Sequence, residues 1–220
     1  MTCASRARSR IGGNGVRVHA LTAWRRPALT VAAAVLVLVC IAGAAIAVLS
    51  VPVHGTSMQP TLQPSERVVV DPFSGSVATR FELVVTRFDA GGPEVIKRVI
   101  GLPGDRVSIR KVGTAPGVVR VQPNGTGPWQ VVDNPAWAGQ WARFGENCCT
   151  AEGKKSSTAT EQTVPPGMLF LLGDHLGQSE DSRAEGWTPV SLVRGRVTWR
   201  VYPLGAIGKI DGPVMLRPAP

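Results

Sequence analysis

The sequence predicts a mainly β fold behind a single N-terminal transmembrane helix. Three observations lead there. Short runs of β-branched and aromatic residues recur between Gly/Pro breaks after residue 50. No long stretch in that region repeats its apolar residues at helical spacing. Before it, Ala28 to Leu49 forms 22 residues without a charge. Gly (25) and Pro (18) make up about a fifth of the chain, against an average of roughly 12%, which points to a packed, turn-rich fold. This composition excludes collagen-like, coiled-coil and low-complexity chains.

The net charge of +9 is unevenly spread. Residues 1–27 form a basic tail holding Arg6, Arg8, Arg10, Arg17, Arg25 and Arg26 and no acid. The remainder is close to balanced and shows no basic face interleaved with aromatics, so a nucleic-acid partner is not expected. The uncharged run, taken as an anchor over residues 28–50, spans about 33 Å as a helix, enough to cross a bilayer. Arginines before it and no matching cluster after it put the N-terminus in the cytoplasm and residues 51–220 outside the cell membrane. Ala45, Ile46 and Ala47 give an Ala-x-Ala spacing, so a cleaved signal peptide is the competing reading. The run exceeds a usual apolar region of roughly 7–15 residues, which favours a retained anchor.

The strand candidates are Arg67–Val70, Phe81–Phe88, Glu94–Ile100, Arg106–Val112, Val118–Val121, Met168–Leu172 and Leu192–Tyr202. Residues 113–166 differ in character. They are rich in Gly, Pro, Asn, Ser and Thr, carry Trp129, Trp137 and Trp141, and read as an inserted, cap-like segment. The cysteines make no framework. Cys3 lies in the tail, Cys40 in the apolar run, and Cys148 and Cys149 are neighbours. A vicinal disulfide, pairing with another chain and two free thiols all remain open. Without a C-x-x-C, and with three scattered histidines, no zinc site is expected, and neither metal nor organic cofactor is implied.

Three segments carry candidate chemistry. Ser57 stands between Gly55 and Pro60, eight residues past Leu49 at the end of the uncharged run, on a turn that exposes a hydroxyl. A serine needs a base to act as a nucleophile. Lys97, alternating with Val95 and Val99 along a strand, is desolvated if that face is buried, and burial lowers a lysine pKa toward the range of a usable base. The third segment, Gly173 to Arg183, follows the apolar run Met168–Leu172. There Ser179 is placed to orient the lysine, and Asp181 and Arg183 to form an ion pair. The rival constellation is Ser57, His175 and Asp174. It suffers because adjacent residues on an extended segment point opposite ways. His54 is local to Ser57, and His19 precedes the anchor.

Together the three segments resemble the type I signal peptidases, membrane-anchored serine peptidases of the Ser/Lys class. The likeness rests on Ser57-Met58-Gln59-Pro60-Thr61-Leu62, on Lys97 through Asp105 (KRVIGLPGD), and on Gly173-Asp174 with Ser179, Asp181, Ser182 and Arg183. The short single-anchor form is similar to Gram-positive, actinobacterial members. The resemblance implies a β-rich catalytic domain with the inserted segment, acting as a monomer at the lipid surface on secretory preproteins. It implies cleavage after Ala-x-Ala through an acyl-enzyme, with Ser57 as nucleophile and Lys97 as general base. Ser179, Asp181, Arg183 and Asp174 would support the pair, and Met58, Leu83 and Val84 would bind substrate. Gly55 departs from relatives that carry a serine there, as do His175-Leu176-Gly177 and Ala184 to Trp187. The alternatives are a specialised processing peptidase of the same chemistry and a non-catalytic, membrane-anchored preprotein-binding or envelope factor. A self-cleaving Ser/Lys regulator of the LexA type would need a DNA-binding head where the arginine tail stands.

Overall fold

The computed structural model describes residues 20–74, 78–111, 117–140, 147–210 and 212–219. Most of the basic tail, with Cys3 and His19, lies outside the described residues, as does Trp141. The chain divides into two compact units, residues 1–45 and 46–220. Helix α1 (Ala20–Leu49) starts before the uncharged run. From Ala28 onward its side chains are exposed and, Thr30 apart, apolar or small on every face. It is the one helix among the described residues long and apolar enough to cross a membrane.

The second unit is built on strands. In chain order these are β1 (Ser50–Pro52), β2 (Arg67–Asp71), β3 (Leu83–Thr86), β4 (Val95–Gly101), β5 (Arg106–Arg110), β6 (Val118–Gln122), β7 (Gln130–Asp133) and β8 (Asn147–Cys148). There follow β9 (Lys155–Ser156), β10 (Gln162–Thr163), β11 (Met168–Leu172), β12 (Thr188–Pro189), β13 (Gly195–Tyr202), β14 (Gly208–Lys209) and β15 (Met215–Pro218). All seven runs expected from sequence contain a strand. The run expected over Phe81–Phe88 is trimmed at Phe81, whose φ of 73° leaves the extended region.

Two antiparallel sheets result. The first runs β1-β2-β13-β3-β4-β11-β12, with β14 beside β13. The second runs β15-β7-β6-β5-β8-β9, with β10 beside β5. Side chains of β3 and β11 alternate between clusters. Leu83 and Val85 join a core with Met58, Leu62 and Val68, whereas Val84 joins Val99, Leu169 and Leu171. Phe170 and Leu172 turn the other way, onto Val107, Ile109 and Val121 of the second sheet. Burial on both faces explains why these strands read as continuous apolar runs.

Residues 113–166, expected as an inserted segment, contribute β6 to β10 to the second sheet. That sheet also takes in β5, which precedes the range, and the C-terminal β15, which pairs along β7 from Met215↔Asp133 to Pro218↔Gln130. Local composition hid the β15 pairing, because its partner is distant in sequence. Cys148 and Cys149 are bonded as a vicinal disulfide and fully buried. Trp129 stacks under the guanidinium groups of Arg106 and Arg120, 5.2 and 5.0 Å from their carbons.

Candidate active site

Ser57 sits on a tight loop between β1 and β2. Gly55 takes φ +74°, a left-handed conformation that glycine adopts without a Cβ penalty. The loop then coils: Gln59 N–H donates to the Thr56 carbonyl and Leu62 N–H to the Met58 carbonyl, at 3.1 and 2.9 Å. Met58 and Leu62 are driven into the core, and that anchors the loop from below. Ser57 stays half-buried at the junction of two cavities.

Lys97 comes from the middle of β4, opposite Val84 of β3. Only 2% of it is exposed. Its Nζ donates to Ser57 Oγ at 2.8 Å. Burial pushes the ammonium below its ordinary value of 10.5; the Asp181 and Glu180 carboxylates oppose that, and the Arg183 guanidinium adds to it. In the neutral amine the same contact reverses, with Oγ–H donating to Nζ.

The loop after β11 closes the site from the other side. His175 N–H donates to the Ser57 carbonyl at 2.9 Å. Gly173 has no room for a side chain, since a Cβ would stand 2.6 Å from that carbonyl and collide with Ser179. Ser179 lines the same cavity as Ser57 and Lys97. Its Oγ is buried and makes no hydrogen bond among the described residues, the one to the lysine included. Asp181 and Arg183 pair in a fork, with 2.7 Å for both Nε–Oδ1 and Nη2–Oδ2. Asp181 also accepts the Gly173 N–H at 3.0 Å and caps helix α2 (Ser182–Glu185).

Asp174 holds the site together. Fully buried, it accepts from Arg98 Nε and Nη2 at 2.8 and 2.5 Å, from Thr61 Oγ1 at 2.5 Å and from Asn134 Nδ2 at 3.0 Å. One carboxylate thus ties the serine loop, the strand carrying the lysine and the second sheet. Thr61 and Arg98 lie in the segments that carry the family likeness but were given no role there, and Asn134 was not singled out. The signal was available for Arg98: next to Lys97 on a strand, it must face the opposite side, where a charge needs a buried partner. The rival triad is not assembled, because the Asp174 carboxylate faces Arg98 and His175 Nδ1 lies 3.3 Å from the Thr56 carbonyl oxygen.

Met58, Leu83 and Val84, expected at the substrate, are all buried in the core, and none lines either cavity beside Ser57. Strand alternation and the coil of the serine loop turn them inward. The residues that do line the smaller cavity, of about 260 Å³, include Val51, Pro52, Val85, Val95 and Ile96. The second cavity holds about 540 Å³ and is lined by Gly55, Thr56, Lys97, Gln178 and Glu180 among others. Trp187, one of the departures from the family pattern, has a place in the packing: its indole N–H donates to the Ala151 carbonyl at 2.9 Å, and its ring meets Phe170 edge-on. Among the described residues no three His, Cys, Asp or Glu side chains gather as metal ligands.

A serine hydroxyl thus stands in contact with a buried lysine amine beside an open cleft. Comparison with known proteins identifies the family. The sequence pattern of the family "Signal peptidase, peptidase S26" matches residues 24–202. Signal peptidase I of Bacillus caldolyticus is 32% identical over 69% of this chain and 78% of its own. The mitochondrial ATP-independent inner membrane protease subunit 1b of Arabidopsis thaliana is 29% identical over 71% and 72%. A crystal structure of a signal peptidase I from Enterococcus faecalis, 27% identical, aligns with 55% of this chain and 97% of that one, at a TM-score of 0.39. The chain belongs to the signal peptidase family, peptidase S26, as the resemblance carried by its three segments implied.

Proposed function

We propose that this protein is a membrane-anchored serine endopeptidase that removes signal peptides from exported preproteins. The observation that carries the reading is the 2.8 Å contact between Ser57 Oγ and the buried Lys97 amine. Neutral Lys97 takes the proton as Ser57 Oγ attacks the scissile carbonyl, and a tetrahedral adduct forms. The Ser57 backbone N–H donates to the developing oxyanion. Lys97 then delivers its proton to the leaving amine, and the C–N bond breaks to leave an ester on Ser57. The amine next deprotonates water, whose attack frees the carboxylate and restores the hydroxyl.

The small volume of the cavity of about 260 Å³, whose lining mixes Val51, Val85, Val95 and Ile96 with His54 and Glu94, supports selection of small side chains next to the scissile bond, the Ala-x-Ala preference. A larger side chain is rejected by clash, whereas one methyl is worth only about 1–3 kcal/mol of discrimination. The substrate lies extended and pairs with strand edge at the site. Helix α1 anchors the enzyme with its N-terminus in the cytoplasm, so enzyme and substrate share one bilayer and a raised effective concentration. Full-length protein in detergent, mixed with a preprotein carrying an Ala-x-Ala site, should give one cut after that site. Ser57→Ala and Lys97→Ala should each abolish it. Identical fragments from the wild type and Ser57→Ala would sink the proposal.

A further inference from the structure

The mechanism above leaves unused Gln140, which lies on the connection that follows β7. Its Nε2 donates to the Asp174 carbonyl at 3.1 Å and to the Ala136 carbonyl at 2.5 Å, and its Oε1 accepts the Leu176 N–H at 2.8 Å. Those Asp174 and Leu176 groups flank His175, whose own N–H holds the Ser57 carbonyl at 2.9 Å. A single carboxamide therefore does for residues 174–176 what a neighbouring strand would do, supplying one donor and one acceptor to a turn that has no strand beside it. Leu176 is buried, so its N–H has no water to fall back on. Trp137, three residues earlier, supports the same turn through its indole N–H on the Gly173 carbonyl at 3.2 Å.

We propose that Gln140 is a positioning residue for Ser57: it fixes the 174–176 turn, which fixes the Ser57 main chain, which sets Oγ against Lys97. The inference rests on Ser57 being the nucleophile. A misplacement on the order of 1 Å at a reacting group costs about 100-fold in rate, so the effect belongs in kcat rather than in substrate affinity.

The test compares Gln140→Ala and Gln140→Glu with Asn147→Ala in the full-length protein in detergent. Asn147 makes the same kind of two-ended bridge, from the Lys111 N–H (2.8 Å) to the Ser157 carbonyl (3.2 Å), but lines neither cavity beside Ser57. Turnover of a synthetic peptide spanning an Ala-x-Ala site is read with Tm. Gln140→Ala should lose about 10- to 100-fold in kcat with KM nearly unchanged. Gln140→Glu keeps the acceptor for Leu176 but sets a carboxylate oxygen against the Asp174 and Ala136 carbonyls, and should lose at least as much. Asn147→Ala should show a similar drop in Tm with kcat intact. If Gln140→Ala does not fold, the near-isosteric Gln140→Glu carries the test. Wild-type kcat in the folded Gln140 variants, or an equal kcat loss in Asn147→Ala, overturns the inference alone. A wild type that does not cut the peptide overturns it together with the proposed activity.

Discussion

Replacing Asp174 by Asn tests the hub of the site most severely. The carboxylate accepts two bonds from Arg98, one from Thr61 and one from Asn134, at 2.5–3.0 Å. A carboxamide turns its NH2 toward at least one of these donors whichever way it rotates. The least costly orientation puts nitrogen at the Thr61 side, where the hydroxyl can reverse and accept, but Arg98 Nη2 then loses its partner. Arg98 is only 3% exposed, so its charge stays buried and is no longer neutralised. Removing one member of a buried ion pair costs about 3–5 kcal/mol, a large part of the roughly 5–15 kcal/mol that holds a domain folded. For a domain of this size each kcal/mol lowers Tm by about 2–4 °C, so Asp174→Asn should fall by about 10 °C. Thermal unfolding of the detergent-solubilised chain, followed by circular dichroism, reads this directly. Adding Arg98→Met removes the stranded charge, and the double variant should be clearly more stable than the sum of the single effects. A Tm within about 2 °C of wild type for Asp174→Asn, or strict additivity in the cycle, would refute the argument.

Three further outcomes follow from the same geometry. Glu180 holds the Lys97 ammonium up, so Glu180→Gln should move the acid limb of kcat/KM to lower pH, whereas an unmoved or raised limb counts against the electrostatics. Gly173→Ala drives a methyl against the Ser57 carbonyl and Ser179, with an overpacking cost of about 1–3 kcal/mol and reduced turnover; unaltered turnover and Tm would contradict the packing. Lys97 binds its proton more weakly folded than unfolded, so its contribution to stability rises with pH from its depressed pKa up to 10.5, and below that window the buried cation destabilises. Lys97→Met should therefore raise Tm at neutral pH, the gain shrinking as pH nears 10.5, and a Tm lowered at every pH would speak against a desolvated ammonium.

Much of this architecture was legible because single residues carried it. The alternation Val95, Lys97, Val99 put the lysine on one strand face, and β4 places it there, opposite Val84. The uncharged run from Ala28 to Leu49 is helical throughout. What escaped were relations between distant residues. Asp174 was picked out, but its partners lie 76, 113 and 40 positions away, on three different elements. Gln140 gives no local sign of its role, since a glutamine in a Gly/Trp-rich stretch looks like a solvated turn residue. The placement of Met58, Leu83 and Val84 was hidden for a related reason: a side chain next to a reactive one in sequence, or paired with its strand, points wherever the pleat and the loop direct it, here into the core.

The central claim is that Ser57 is acylated with Lys97 as its base. The most direct measurement is the intact mass of the chain, quenched within milliseconds of mixing with a peptide ester that carries an Ala-x-Ala acyl group. One acyl equivalent should appear, map to Ser57, and be absent from both Ser57→Ala and Lys97→Ala. Acylation that persists at full rate in Lys97→Ala, or that maps to any other residue, would contradict the account.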